Sequence, residues 1–176
     1  MKDYNGAWNN TFSHPEDDHW LVGDDHTLTL PVLTARMGIT NNVDIGLIYT
    51  DSIEANYGWT GVDVKYAFHQ DRRRGFFVAT RLSTVVLTGV QDFNYYQGAV
   101  DLLVSKKVGW FTPYAGITAI YSVADENTDK VNLKKESSVA TEAIVGTQFH
   151  WKYLSVAAEA DIARINMYTV KIGATF

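Results

Sequence analysis

The sequence predicts an all-β fold, in which consecutive antiparallel strands form one domain that closes into an up-and-down barrel. Three observations predict it. Segments of about 10 to 13 residues alternate apolar and polar residues, which is the period of a β-strand. No segment has the 3.6-residue apolar stripe of an amphipathic helix, nor the apolar length of a transmembrane helix. The last segment alternates up to the final residue, and a strand there needs a paired neighbour on each side, which barrel closure supplies.

The composition excludes several classes of protein. At 176 residues, the chain is long enough for one domain with a core or a small barrel, so residues 1–176 are treated as one domain. The absence of cysteine excludes a disulfide framework and thiol chemistry. A net charge of -5 argues against nucleic acid as a partner. A hydrophobic fraction of 46% fits both a soluble protein and a transmembrane barrel, because the inward faces of such a barrel are polar.

Ten strands are predicted, each joined to the next by a turn or loop. Residues 1–26 hold the first of them and an acidic loop, and they are the least regular part of the chain. Eight strands is the alternative if this first segment does not pair. An even number places both termini on one side of the barrel. The predicted strands are residues 3–12, 27–39, 43–50, 57–68, 75–87, 93–105, 110–123, 138–150, 153–165 and 167–176.

The connections between these strands alternate in length. Those near residues 41, 71, 107 and 151 are short, whereas those near 20, 53, 90 and 130 are mostly longer and more acidic. Short turns on one side and long loops on the other are typical of outer-membrane barrels. The short turns carry basic residues, which indicate a solvated turn rather than a nucleic-acid site because they are few and the chain is acidic. These residues are Arg72, Arg73, Arg74, Lys106, Lys107 and Lys152.

Charges follow the strand period. In residues 43–50, Ile45 and Leu47 share a face and Asp44 lies on the other. Each strand therefore has one almost charge-free face and one face with charges near its middle. Charges inside a small barrel need partners, so these residues are predicted to form an internal network of salt bridges and hydrogen bonds. They are Arg36, Asp44, Asp63, Lys65, Arg81, Asp101, Glu142, Glu159, Asp161 and Lys171.

Alternation alone does not decide whether the charges face water or a barrel lumen. Three features favour the lumen and hence a transmembrane barrel. The charge-free face mixes small and large apolar residues, the aromatic residues gather at strand ends like two interfacial girdles, and the polar face is rich in uncharged Gly, Ser, Thr and Ala. The alternative is a soluble up-and-down barrel that carries a small apolar ligand, as lipocalins do.

The last strand resembles the C-terminal strand of Gram-negative outer-membrane β-barrel proteins, which alternates apolar residues and ends in Phe. With the strand lengths and the loop asymmetry, the resemblance covers residues 27–176. It implies a protein of the bacterial outer membrane without a cofactor, either a structural or accessory envelope component or a narrow pore with a largely filled lumen. The residues that form the implied insertion signal are Tyr168, Val170, Ile172, Ala174 and Phe176.

The same resemblance implies partners and processing. The partners are the lipid and lipopolysaccharide of the outer membrane, the barrel insertion machinery and other envelope proteins. The first residues lack the apolar region of a signal peptide, so the leader of an exported form is expected to have been removed.

No motif predicts catalysis or a metal site. Two similar triplets in the first loop contain metal-ligand residue types, but their spacing matches no zinc or EF-hand pattern, so a solvated acidic loop is predicted. Outer-membrane barrel enzymes use His with Asp, or His with Ser and Glu, at the outer rim. No such family motif surrounds His14, His19 or His26, although Ser13 precedes His14, so an enzyme is the minor alternative. The weak metal candidates are Asp17, Asp18, His19, Asp24, Asp25 and His26.

Overall fold

The protein is an antiparallel β-sheet in which consecutive strands are neighbours. The computed structural model describes residues 31–51, 57–90, 93–126, 135–164 and 166–174. Within these ranges the nine strands pair in the order β1 to β9, which confirms the all-β, up-and-down prediction. They are β1 (Val32–Gly38), β2 (Val43–Asp51), β3 (Gly58–Asp71), β4 (Phe76–Thr88), β5 (Phe93–Lys106), β6 (Phe111–Glu126), β7 (Glu136–Trp151), β8 (Leu154–Ile162) and β9 (Met167–Ala174).

Most predicted strands that fall in these ranges match the structure closely. The predicted segments 75–87 and 93–105 coincide with β4 and β5 to within one residue at each end. The pair β6 and β7 extends further than predicted into the acidic loop, because Ala124 still pairs with Glu136. The strand predicted at residues 3–12 and the start of the segment 27–39 lie outside the described residues. Among the described residues, no helix has the length and apolar character needed to cross a membrane.

The short turns contain the residues that a sharp reversal requires. The carboxylate of Asp71 accepts hydrogen bonds from the backbone N–H groups of Arg73 and Arg74, at 3.1 and 3.0 Å, before Gly75 takes a φ of 66°. Asp is favoured in such turns because its side chain bonds the backbone two or three residues ahead. Lys152 adopts a φ of 54° between β7 and β8, an uncommon conformation for a residue with a Cβ atom. These turns hold neighbouring strands in register.

The sheet is curled, so it has a concave face that surrounds a cavity and a convex face that points outward. A cavity of about 500 Å³ on the concave face is lined by residues from both edges and the middle of the sheet, including Arg36, Tyr114 and Lys171. The convex face carries large apolar side chains that are exposed, such as Leu47 at 62% and Ile172 at 75%. The sheet thus encloses its polar face and leaves its apolar face open.

The buried residues confirm this polarity within the described part of the chain. The buried charged residues Asp63, Asp101 and Asp161 are at most 5% exposed, whereas the buried apolar residues are only Ile144 and Ala157. A sheet that folds in water normally covers its apolar face. Here the usual arrangement is reversed.

In the described residues, β1 and β9 are the edges of the sheet. The register is regular except at a bulge in β3, where Ala67 pairs with Ala79 and His69 with Val78. An extra residue in one strand shifts the alternation of faces beyond it. His69 consequently lies against Phe76, with ring centroids 5.8 Å apart.

Candidate functional site: the charged concave face

The strand pairing places the ten predicted charges on the concave face. Asp44 pairs with Lys65, Lys65 with Arg81 and Arg81 with Asp101, so side chains from four successive strands lie side by side. On the other half of the sheet, Glu159 and Lys171 line the same cavity. Eight of these charges form four ion pairs, which lie in three groups along the sheet.

The first group joins two strands that are not neighbours. Arg36 on β1 and Asp63 on β3 both pair with Gly46 on β2. The guanidinium Nη2 of Arg36 donates to both carboxylate oxygens of Asp63, at 2.8 and 2.9 Å. A Cβ atom on Gly46 would collide with this carboxylate. The contact between Arg36 and Asp63 across β2 therefore requires glycine at this position.

The second group lies at the centre of the sheet. Arg81 donates through Nε to the carboxylate of Asp101, which also accepts a hydrogen bond of 2.7 Å from Thr118 Oγ1. Asp101 is 1% exposed; the Arg81 guanidinium balances its charge, and the Thr118 hydroxyl satisfies its other oxygen. Nearer the short turns, Lys65 Nζ lies 2.8 Å from the carboxylate of Asp44.

The third group repeats the crossing seen at Gly46. Tyr114 on β6 and Glu159 on β8 both pair with Gly146 on β7. The hydroxyl of Tyr114 donates to Glu159 Oε2 at 2.8 Å, and Lys171 Nζ donates to Oε1 at 2.6 Å. A Cβ atom on Gly146 would overlap the phenol ring of Tyr114. The contact between Tyr114 and Glu159 therefore requires glycine at position 146.

Two of the predicted charges have no cationic partner among the described residues. Within the described ranges, no lysine, arginine or histidine nitrogen lies within ion-pair distance of Glu142 or Asp161. Glu142 pairs with Thr118, and Asp161 pairs with Ile144. Six carboxylates and four cations were predicted here, so the concave face carries an excess of negative charge.

The loop end of the concave face is occupied by aromatic rings. Trp59 and Tyr95 meet edge to face with ring centroids 5.0 Å apart. The hydroxyl of Tyr95 lies 2.9 Å from Ser122 Oγ and 3.3 Å from Gln97 Oε1. These side chains and the ion pairs therefore lie on the same concave face, at different positions along the strands.

Several residues of this network were not predicted from the sequence. Tyr114 and Thr118 complete the hydrogen bonds of Glu159 and Asp101, and Gly46 and Gly146 leave room for two of the contacts. The period-2 alternation of the sequence assigns each glycine to the charged face, so their position on that face could have been predicted. Alternation does not reveal the register between strands, that is, which residue of the next strand lies opposite a given residue.

The described residues contain no group of three or more His, Cys, Asp or Glu side chains placed to hold a metal ion. The candidates Asp17, Asp18, His19, Asp24, Asp25 and His26 lie outside the described residues. So do His14 and the final residue of the implied insertion signal, Phe176. Of that signal, Tyr168, Val170, Ile172 and Ala174 lie on β9, with the first three highly exposed.

Comparison with known proteins adds no family to this description. No protein-family model matches the chain, and neither does any curated protein.

Proposed function

We propose that the chain is an integral outer-membrane β-barrel with a largely side-chain-filled lumen, acting as a structural or accessory component of the envelope or as a narrow pore. The observation that carries the proposal is the reversed polarity of the sheet. Asp63 and Asp101 are buried on the concave face, while Leu47, Val100 and Ile172 are exposed on the convex one. In water such an apolar surface is costly, whereas in lipid it is the favourable solvent contact.

The proposal includes closure of the barrel by a tenth strand. Among the described strands β1 and β9 are the edges, and the backbone N–H and C=O groups along an edge strand are not satisfied by hydrocarbon. The proposed tenth strand is the segment predicted from the sequence at residues 3–12, which in a closed barrel would pair with β1 on one side and β9 on the other. Nine described strands and this one make the even number typical of bacterial barrels, so ten strands are favoured over eight.

The soluble alternative, a barrel that carries an apolar ligand, is less well supported. Such a carrier needs an apolar cavity under a polar exterior. The cavity here is lined by charged side chains such as Arg36, Lys65 and Glu159, and apolar residues lie outside. No observation on the described residues favours an enzyme.

The proposal is tested by refolding the chain with and without detergent. We expect a β-sheet circular dichroism spectrum and a monodisperse protein only when detergent is present, because the convex face needs an apolar environment. In electrophoresis the unheated sample should migrate differently from the boiled one, as a barrel resists unfolding by dodecyl sulfate. A monodisperse β protein obtained without detergent contradicts the proposal and supports the soluble carrier.

A further inference from the structure

An apolar groove lies on the convex face at the end of the sheet where the short turns are. It has a volume of about 380 Å³ and is almost free of polar surface. It opens between the β5–β6 turn and the β7–β8 hairpin. The groove is lined by Trp110, Phe149, His150, Trp151, Leu154 and Val156.

The groove is held in shape by contacts between the two turns. The backbone N–H of His150 donates to the carbonyl of Trp110 at 2.9 Å. The rings of Trp110 and Phe149 lie 5.3 Å apart at an angle of 31°, and Phe111 packs beside both. Leu154 and Val156 continue the wall along β8 towards the middle of the strand. The groove thus starts at the turns and runs into the apolar surface.

The turns beside the groove carry positive charge that no carboxylate of the described residues neutralises, except at Arg74. Arg74 lies 3.9 Å from Asp71, the last residue of β3. The other basic residues of these turns are exposed, and among the described residues no carboxylate forms an ion pair with them. They are Arg72, Arg73, Lys106, Lys107 and Lys152.

This differs from the concave face, where each of the cations Arg36, Lys65, Arg81 and Lys171 has a carboxylate partner. Lys152 follows Trp151 directly, and Lys107 is three residues before Trp110. Two unpaired ammonium groups therefore belong to the same two turns that form the mouth of the groove. A ligand that suits both features has an anionic head and an apolar tail.

We propose that this groove binds one molecule of an anionic phospholipid from the surrounding bilayer. The acyl chain lies against Trp110, Phe149 and Leu154, and the phosphate contacts the ammonium groups of Lys107 and Lys152. The groove runs from the turns into the apolar surface of the convex face. A lipid in a leaflet has the same orientation, with its headgroup at the turns and its acyl chain along the apolar surface. Basic residues at a membrane surface attract anionic lipids, and aromatic residues at that depth pack on them. The inference rests on the proposed function, because it requires the convex face to lie in lipid.

The test uses tryptophan fluorescence of the full chain folded into phosphatidylcholine vesicles that contain brominated lipid. Bromine on the acyl chains quenches tryptophans in contact with that lipid. At equal mole fraction, brominated phosphatidylglycerol should quench more strongly than brominated phosphatidylcholine. Replacing Trp110 and Trp151 with Phe should remove this difference, while Trp8, Trp20 and Trp59 report the background.

Charge variants identify the contact with the headgroup. The preference for phosphatidylglycerol should fall about fivefold for each lysine neutralised in Lys107→Gln and Lys152→Gln. Lys135→Gln is the matched control, because this lysine lies at the opposite end of the sheet, beside Asp125. It should leave the preference unchanged.

Two results separate the lipid site from the membrane barrel itself. A chain that shows the heat-dependent mobility shift but is quenched equally by both lipids, or whose preference survives the Lys107 and Lys152 changes, overturns the lipid site alone. A chain that does not fold into vesicles overturns the membrane barrel and the lipid site together.

Discussion

At the residue scale, two glycines determine which charges meet. Gly46 and Gly146 each stand between two polar side chains from the strands on either side. Because neither glycine has a Cβ atom, Arg36 reaches Asp63 across β2, and the Tyr114 hydroxyl reaches its acceptor across β7. Contacts of this kind tie together strands that share no backbone hydrogen bonds.

Substitutions at Asp101 and Asp44 compare how much a buried ion pair and a more exposed ion pair contribute to the free energy of unfolding. The Asp101 side chain is 1% exposed and that of Asp44 is 29% exposed. Asp101→Ala leaves Arg81 and Thr118 without their acceptor, so we expect the free energy of unfolding in detergent to fall by roughly 2–4 kcal/mol. Asp44→Ala should cost about 1 kcal/mol or less.

Urea unfolding of both variants provides the measurement. The double variant Arg81→Leu/Asp101→Leu is the control, because it removes both charges together and should recover part of the lost stability. Equal losses for Asp101→Ala and Asp44→Ala would show that burial of the central pair has no energetic consequence.

At the element scale, neighbouring residues of a strand lie on opposite faces of the sheet and therefore in different environments. Leu102 and Leu103 are neighbours in the middle of β5, with Leu102 exposed on the convex face and Leu103 lining the concave cavity. They share residue type and depth along the strand. A substitution repeated at both positions therefore reports only on the face.

Lysine at these two positions distinguishes lipid from lumen. For the protein folded in lipid vesicles, Leu102→Lys should lower the free energy of unfolding by roughly 2–4 kcal/mol, because it places a charge near the bilayer midplane. Leu103→Lys should cost about 1 kcal/mol or less, since its ammonium enters a cavity with excess carboxylate. Urea titration in vesicles measures both, and a larger loss for Leu103→Lys contradicts the assignment of the faces.

At the scale of the whole molecule, the sheet combines a crowded concave face with an uneven distribution of charge. The central pair Arg81–Asp101 and the aromatic pair Trp59–Tyr95 lie at different heights along the strands. A barrel of about ten strands has little interior space beyond its side chains. In the proposed barrel these groups obstruct the lumen, and the carboxylates outnumber the cations.

Conductance across a planar lipid bilayer tests this obstruction. We expect the unmodified protein to conduct weakly and to prefer cations, because the concave face, which lines the lumen in the proposed barrel, has more carboxylates than cations. Arg81→Ala/Asp101→Ala removes the central pair without leaving a single charge and should raise conductance severalfold. Val100→Ala, on the convex face, is the control and should change nothing. A preference for anions, or unchanged conductance in the double variant, contradicts this description of the lumen.

The sequence alone predicted the strands and the composition of their two faces. Alternation with period 2 is a local property, so β4 and β5 could be located to within a residue, and Asp101 and Arg81 could be assigned to one face. A short turn near residue 71 was predicted as well, but β3 continues to Asp71, beyond the predicted end at residue 68, and the Asp71 carboxylate accepts hydrogen bonds from the backbone N–H groups of Arg73 and Arg74.

Only the tertiary structure decided which face is enclosed and which side chains meet there. Alternation is identical for charges that face water and charges that face inward. The uncharged polar face and the aromatic strand ends favoured the inward orientation, and the curl of the sheet shows the charged side to be concave. The contacts of Arg36 with Asp63 and of Tyr114 with Glu159 depend on register between segments far apart in sequence. Register is set by pairing along every strand together, because a shift of one residue moves each side chain to the other face.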